Sequence, residues 1–306
     1  MKVYNLERML KMKKFLGIMM LLSILLIAAC SNNEDGDTNN NADEDNSKGT
    51  ITFGQTGWSS TEVPTEIAKQ ILEEVGYDVE VTLLDQPLIF EGLQNKEVDF
   101  FMDAWLPYTE EALWDEYQDD LIKVAKSYEN APLGWAVPEY VEEDSIEDIK
   151  KNPEKFDGKV YTIDEGAGVA TIGYDVIEDY GLEDKFEMVS SSEGAMIGQL
   201  DASISKEEPV IITGWRPHSM FTQYDLKFLD EPKENYKEDT IYVLSYNDIK
   251  EEKQEAYDIL SKWSIDIDDL EEMMYEHEIN DRSFEELASE WIEENQDKVD
   301  EMVGEK

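Results

Sequence analysis

Thiols and imidazoles are nearly absent from this chain. Cys30 is its single cysteine, and His218 and His277 are its only histidines. One thiol cannot form an internal disulfide. Neither histidine sits in an H-E-x-x-H or G-x-S-x-G arrangement, so nothing supports a zinc site or a serine-type triad. Basic residues are scarce as well: 26 Lys and Arg stand against 73 Asp and Glu, a formal net charge of −47. Charge of that sign repels nucleic acid and anionic lipid, and it disfavours large anionic ligands. The apolar run from Phe15 to Ala29, about fifteen residues, falls short of the roughly 20 that a spanning helix needs. A nucleotide fingerprint is missing too: no Lys-Ser/Thr follows Gly166-Ala167-Gly168-Val169, and the G-x-G-x-x-G spacing fails.

What is present begins with an export signal. Lys2, Arg8, Lys11, Lys13 and Lys14, with Glu7 as the only acid, precede the apolar run, which ends in Ile27-Ala28-Ala29-Cys30. This resembles a lipobox, which implies removal of residues 1–29 and diacylation of Cys30 as the lipid attachment site. Acyl chains tether a protein to the outer face of the cell membrane without spanning it. The other readings are an ordinary secretory signal with a chance cysteine and a plain membrane anchor. Residues 30–49, rich in Asn, Asp and Glu and without a large apolar side chain, cannot bury enough surface to order themselves and read as a disordered acidic stalk. The remaining acids are spread along the chain, as in Glu110 to Glu116 and Glu285 to Glu294, and read as a heavily hydrated surface.

From Thr50 the pattern is β-α-β-α-β. A short strand, Thr50 to Gly54, precedes a helix over Thr61 to Val75 with Val63, Ile67, Ile71 and Leu72 at helical spacing. A strand over Tyr77 to Leu84, a helix over Leu88 to Gln94 and a strand over Val98 to Met102 follow. The pattern restarts after Pro138, with strands at Lys159 to Ile163, Phe186 to Ser190 and Pro209 to Thr213 and helices at Ala170 to Tyr180 and Met196 to Lys206. A last strand, Ile241 to Ser245, leads into amphipathic helices at Lys253 to Trp263, Ile267 to Glu276 and Ser283 to Val303. Two α/β units predict two lobes: the first from residues 50–133 plus 225–306, the second from residues 134–224. Ligands of such sheets bind beyond the carboxyl ends of the strands.

Three tryptophans stand just after predicted strands: Trp58, Trp105 and Trp215. Converging aromatic faces make a pocket for a quaternary ammonium, which has no N–H to donate and is held by ring quadrupoles. The alternative for each is core packing, the role also expected of Trp114, Trp135, Trp263 and Trp291. The glycine turn at 166–168 opens a helix whose free backbone amides suit a carboxylate, or it is a simple strand-to-helix turn. Asp99, Asp103, Glu110 and Asp164 admit an exported carboxylate hydrolase, although acids are dense everywhere and none stands out.

Trp105-Leu106-Pro107, the glycine turn and the run Ile211-Ile-Thr-Gly-Trp-Arg-Pro-His218 resemble the glycine-betaine binding lipoproteins of osmoprotectant ABC importers. The resemblance covers nearly all of the chain from Ile51 to Asp230. It implies an α/β, two-lobed periplasmic-binding-protein-like (type II) fold with a ligand cleft between the lobes. It also implies a binding protein rather than an enzyme, with no cofactor or metal, a small quaternary-ammonium ligand, and a cognate ABC permease and ATPase as partners. Trp58, Trp105 and Trp215 map onto the aromatic cage of that family, and Gly168 and Val169 onto its carboxylate-holding amides. Where the family often has a carboxylate-binding histidine, this chain has Glu110. An acid facing a carboxylate repels it. Either Glu110 turns away while Tyr108, Arg216 or His218 compensates, or the ligand is choline-like. Carnitine is a further candidate, and a surface adhesion or sensory module of the same fold is the remaining alternative.

Overall fold

The structure is a computed structural model and describes residues 47–304. The predicted signal, Cys30 and the stalk up to residue 46 lie outside the described residues. Two five-stranded sheets organise the rest. The first holds β1 (Thr50–Gln55), β2 (Asp78–Leu83), β3 (Phe100–Leu106), β4 (Leu121–Ala131) and β10 (Asp239–Tyr246), in the order β2-β1-β3-β10-β4. The second holds β5 (Leu133–Pro138), β6 (Lys159–Thr162), β7 (Glu187–Ser190), β8 (Ile212–Trp215) and β9 (Leu226–Phe228), in the order β7-β6-β8-β5-β9. Each sheet has three parallel strands and then an antiparallel one, β10 beside β3 and β5 beside β8.

The chain crosses between lobes twice. Only Pro132 separates β4 from β5, and the 229–238 segment joins β9 to β10. The return therefore starts after Phe228 rather than at residue 225, because β9 pairs with β5 in the second sheet.

Helices α1 (Ser59–Glu74) and α2 (Gln86–Gln94) cover the first sheet; α3 (Glu111–Tyr117) follows β3. Helices α4 (Gly168–Asp179) and α5 (Glu193–Ile204) cover the second. Val63, Ile67 and Ile71 recur every fourth residue on α1 and are fully buried, the stripe that drives this helix onto its sheet. The helix closes at Gly76, whose φ of 100° only glycine adopts freely. The Gly76 amide bonds to the Glu73 carbonyl and the Tyr77 amide to that of Leu72, which frees the chain to turn into β2. Helices α2, α4 and α5 end with the same pair of bonds around Lys96, Gly181 and Glu207, each at positive φ.

After β10 come α6 (Gln254–Leu260), α7 (Ile267–Asn280), α8 (Phe284–Glu294) and α9 (Gln296–Val303). The single helix expected over residues 283–303 is broken at Asn295. Helices α7 and α8 pack on α1 of the first lobe, and α7 also meets the short helix Met220–Gln223 of the second. Trp135 lies in the core of the second lobe with Val160, Val176 and Phe186. The larger apolar cluster runs from the first lobe through Trp58, Trp105 and Trp215 to Ile163 and Val169 of the second.

Candidate functional site

The three tryptophans meet, although two stand on strands rather than in loops. Trp58 precedes α1 as its N-cap, Trp105 lies within β3 and Trp215 ends β8. The strand runs on through Trp105 because Asp103, which looks like a breaker in sequence, is satisfied inside it. Ser60 and Thr61 hydroxyls donate to Asp103 Oδ2 at 2.8 and 2.9 Å, and Trp105 Nε1 donates to Oδ1 at 3.0 Å. Burial nevertheless pushes the Asp103 carboxyl up against those donors.

The indoles, all nine-tenths buried, line one pocket of about 320 Å³ counting its mouth. Carboxylates hold two of them from behind: Trp58 Nε1 donates to Asp164 Oδ2 at 2.9 Å, as Trp105 does to Asp103. Donation to an anion makes an indole face more electron-rich and so a better seat for a cation. The His218 ring meets Trp215 edge-on, with centroids 4.9 Å apart and planes at 88°. Leu133, Ile163, Ala167 and Val169 complete an apolar wall.

The opposite end is polar, with Gln86, Thr109, Glu110 and the Gly168 amide. Gln86 Nε2 donates to Glu110 Oε1, and Gly168 N–H donates to Gln86 Oε1 at 3.2 Å. One carboxamide thus links an acid of the first lobe to the helix α4 amino terminus of the second. Burial pushes the Glu110 carboxyl well above the ordinary glutamate range, and the Asp103 and Asp239 charges add to this while the Trp105 backbone opposes it.

The lobes are closed on one another. A methyl group on Gly168 would lie 2.5 Å from the Thr109 carbonyl oxygen. Glu193, at the start of α5, accepts from Ser59 N–H at 3.1 Å and Ser59 Oγ at 2.9 Å, across the cleft. Burial alone would raise the Glu193 carboxyl, but His218, 3.3 Å away, and the Ser59 donors outweigh it and hold the group below the ordinary range. Arg216 donates to both oxygens of Glu271 on α7, at 2.8 and 2.6 Å.

Of the residues singled out in sequence, Trp58, Trp105, Trp215, Gly168, Val169 and Glu110 line the pocket. Tyr108 and His218 do not. Tyr108 is exposed beneath Lys237, its amide donating to Asp239 Oδ1. His218 is buried behind Trp215, with Nδ1 accepting the Met220 amide at 3.0 Å. Gln86 and Thr109 were not singled out. Gln86 opens the helix after β2, a place where ligand groups gather in open sheets, and that was the available signal.

Two lobes of like topology, crossed twice by the chain and closed over an aromatic pocket, define a two-lobed solute-binding domain. The chain belongs to the family described as the substrate-binding domain of ABC-type glycine betaine transport systems, whose model matches residues 49–294. Members of that family are ligand-binding transport proteins. A curated relative, the glycine betaine/carnitine transport binding protein GbuC of Listeria monocytogenes serotype 1/2a (strain 10403S), is 38% identical over 156 residues. That match takes in 50% of this chain and 51% of GbuC, so the chain spans about half the length of that relative. Among solved structures, lactococcal OpuAC in its closed-liganded conformation with glycine betaine superposes with a TM-score of 0.78 at 30% identity, covering 83% of this chain and 99% of that one. An ABC-transporter choline binding protein in complex with choline gives 0.78 at 25% identity, covering 83% and 91%.

Proposed function

We propose that this protein captures a small quaternary-ammonium solute, glycine betaine or a related betaine, outside the cell and delivers it to a cognate ABC permease and ATPase for osmoprotection. The observation that carries this reading is the meeting of Trp58, Trp105 and Trp215, from both lobes, around one closed pocket. A cation without N–H groups gains roughly 0.5 to 2 kcal/mol from each such face, and only the closed arrangement offers all three. The ligands named for GbuC and lactococcal OpuAC support the same chemistry. Choline is the second reading, favoured by an acid, Glu110, in the pocket wall and by the choline-bound relative. The lipobox at Cys30 supports a tether on the outer face of the membrane. Binding and release by lobe closure is the whole mechanism, with no bond made or broken.

Calorimetric titration with glycine betaine, proline betaine, carnitine and choline tests the reading. At least one should bind below millimolar concentration, and Trp215→Ala should weaken it by roughly tenfold or more. Silence across the panel at millimolar ligand would sink it. In the same preparation the protein should sediment with membranes and Cys30→Ala should not; membrane association retained in Cys30→Ala would remove the lipid tether.

A further inference from the structure

Two side-chain atoms at the polar end of the pocket are shut off from water and find no partner among the described residues: Glu110 Oε2 and Thr109 Oγ1. They belong to consecutive residues lining one cavity. An orphaned buried polar atom is costly, by about 1–3 kcal/mol, unless something else satisfies it. The second Glu110 oxygen is already committed, since Oε1 accepts from Gln86 Nε2. Any proton on this carboxyl therefore sits on Oε2, the oxygen left without a partner.

The charged groups around Glu110 do not favour an anion there. Asp103 on β3 and Asp239 at the start of β10 are both acids, and both press its carboxyl toward the neutral form. Helix α2 contributes Gln86, which is neutral, and α4 contributes Gly168 and Val169. Tyr128 of β4 keeps its hydroxyl on Asp103, at 3.5 Å, and Asp164 is engaged by Trp58. Lys123 lies over the Trp114 and Tyr242 rings and Lys237 over that of Tyr108. A neutral acid in this setting is a hydrogen-bond donor.

We infer that Glu110 donates a hydrogen bond from Oε2, with the Thr109 hydroxyl beside it, to the carboxylate of the ligand, and so selects zwitterionic betaines over choline. The inference rests on the pocket being a quaternary-ammonium cage. Two donors then meet the two oxygens of a carboxylate, and the acid stands in for the expected histidine without repelling the ligand. Ionising Glu110 reverses the preference. Oε2 becomes an acceptor that repels a carboxylate and suits the hydroxyl of choline.

The test is calorimetric titration of the full chain with glycine betaine and with choline from about pH 6 to about pH 10, a range that brackets known buried carboxyls. Betaine affinity should hold at the lower end and then fall by about tenfold per pH unit as Glu110 ionises, while choline affinity stays level or rises. Glu110→Gln, which keeps a donor and carries no charge, should bind betaine with no such slope. Infrared spectra at neutral pH should show a protonated-carboxyl band that Glu110→Gln removes. A level betaine profile in the native protein overturns the inference. So does a slope that survives in Glu110→Gln, which would assign the proton to Asp103. If both ligands bind with level profiles, the cage reading stands and only this inference falls. If no quaternary amine binds at any pH, both fall.

Discussion

At Gly168 the backbone of the second lobe lies against Thr109 of the first, where a Cβ would stand 2.5 Å from the Thr109 carbonyl oxygen and 2.6 Å from its methyl group. Carbonyl oxygen on one side and helix backbone on the other leave little room to yield. Gly168→Ala should therefore hold the lobes apart and weaken betaine binding by about tenfold or more. The ligand-free melting temperature should barely move, because an open cleft accommodates the methyl group. Calorimetry alongside thermal melting checks both, and native-like affinity in Gly168→Ala would show that closure in solution stops short of this contact. The glycine turn was visible in the sequence as an amide-rich helix start. Its second duty, leaving room for the opposite lobe, was not, because nothing local to residues 166–168 names Thr109 as a neighbour.

Helices α1 and α5 begin on opposite sides of the cleft, and their first residues, Ser59 and Glu193, are joined. A carboxylate at the amino end of α1 is also favoured by its free amides and dipole. Because the Glu193 carboxyl is held below its ordinary range, its stabilisation is complete above that range and is lost as pH falls through the lowered value. Acid thus loosens this tie, whereas alkali acts at Glu110. Glu193→Gln should speed betaine release about tenfold, since hydrogen bonds to a charged group contribute about 1.5–3 kcal/mol. Stopped-flow tryptophan fluorescence measures the release rate, and an unchanged rate would remove Glu193 from closure. Element by element, the helices with buried stripes were legible and several other segments were not. Strand β4 loses its alternation because its pairing with β10 shifts register three times. Strand β5 is buried on both faces and carries Gly134 and Pro138, and β9 has three residues. Helix α3 is short and buries no residue fully; Leu113, Trp114 and Tyr117 are only partly covered and stand among acids that read as hydrated surface.

Over the whole molecule the dominant fact is charge, −47 spread along one chain. Ion pairs such as Lys253–Asp99 and Arg216–Glu271 engage some acids, but 26 bases cannot pair 73 acids. Self-repulsion between exposed charges is screened over about 30 Å at 0.01 M salt and about 3 Å at 1 M. The melting temperature should rise by several degrees between those conditions, with uncharged osmolytes of equal osmolality failing to reproduce the rise. An unchanged melting temperature in molar salt would show that the acids are too well hydrated to repel. The same repulsion acts between the lobes, so the Ser59–Glu193 and Arg216–Glu271 ties hold the cleft shut against it.

Sequence alone determined the repeated α/β units, the aromatic and glycine positions of the pocket and the acidic surface, because periodicity and residue type act locally along the chain. It also suggested the lipid tether at Cys30. Tertiary structure decided which antiparallel strand joins each sheet and that Tyr108 and His218 stay out of the pocket wall. It likewise placed Gln86 between the lobes, with Glu110 Oε2 buried and without a partner among the described residues. These depend on groups far apart in the chain meeting in space, Gln86 and Glu110 of one lobe with Gly168 of the other, and no local pattern of residues names such partners.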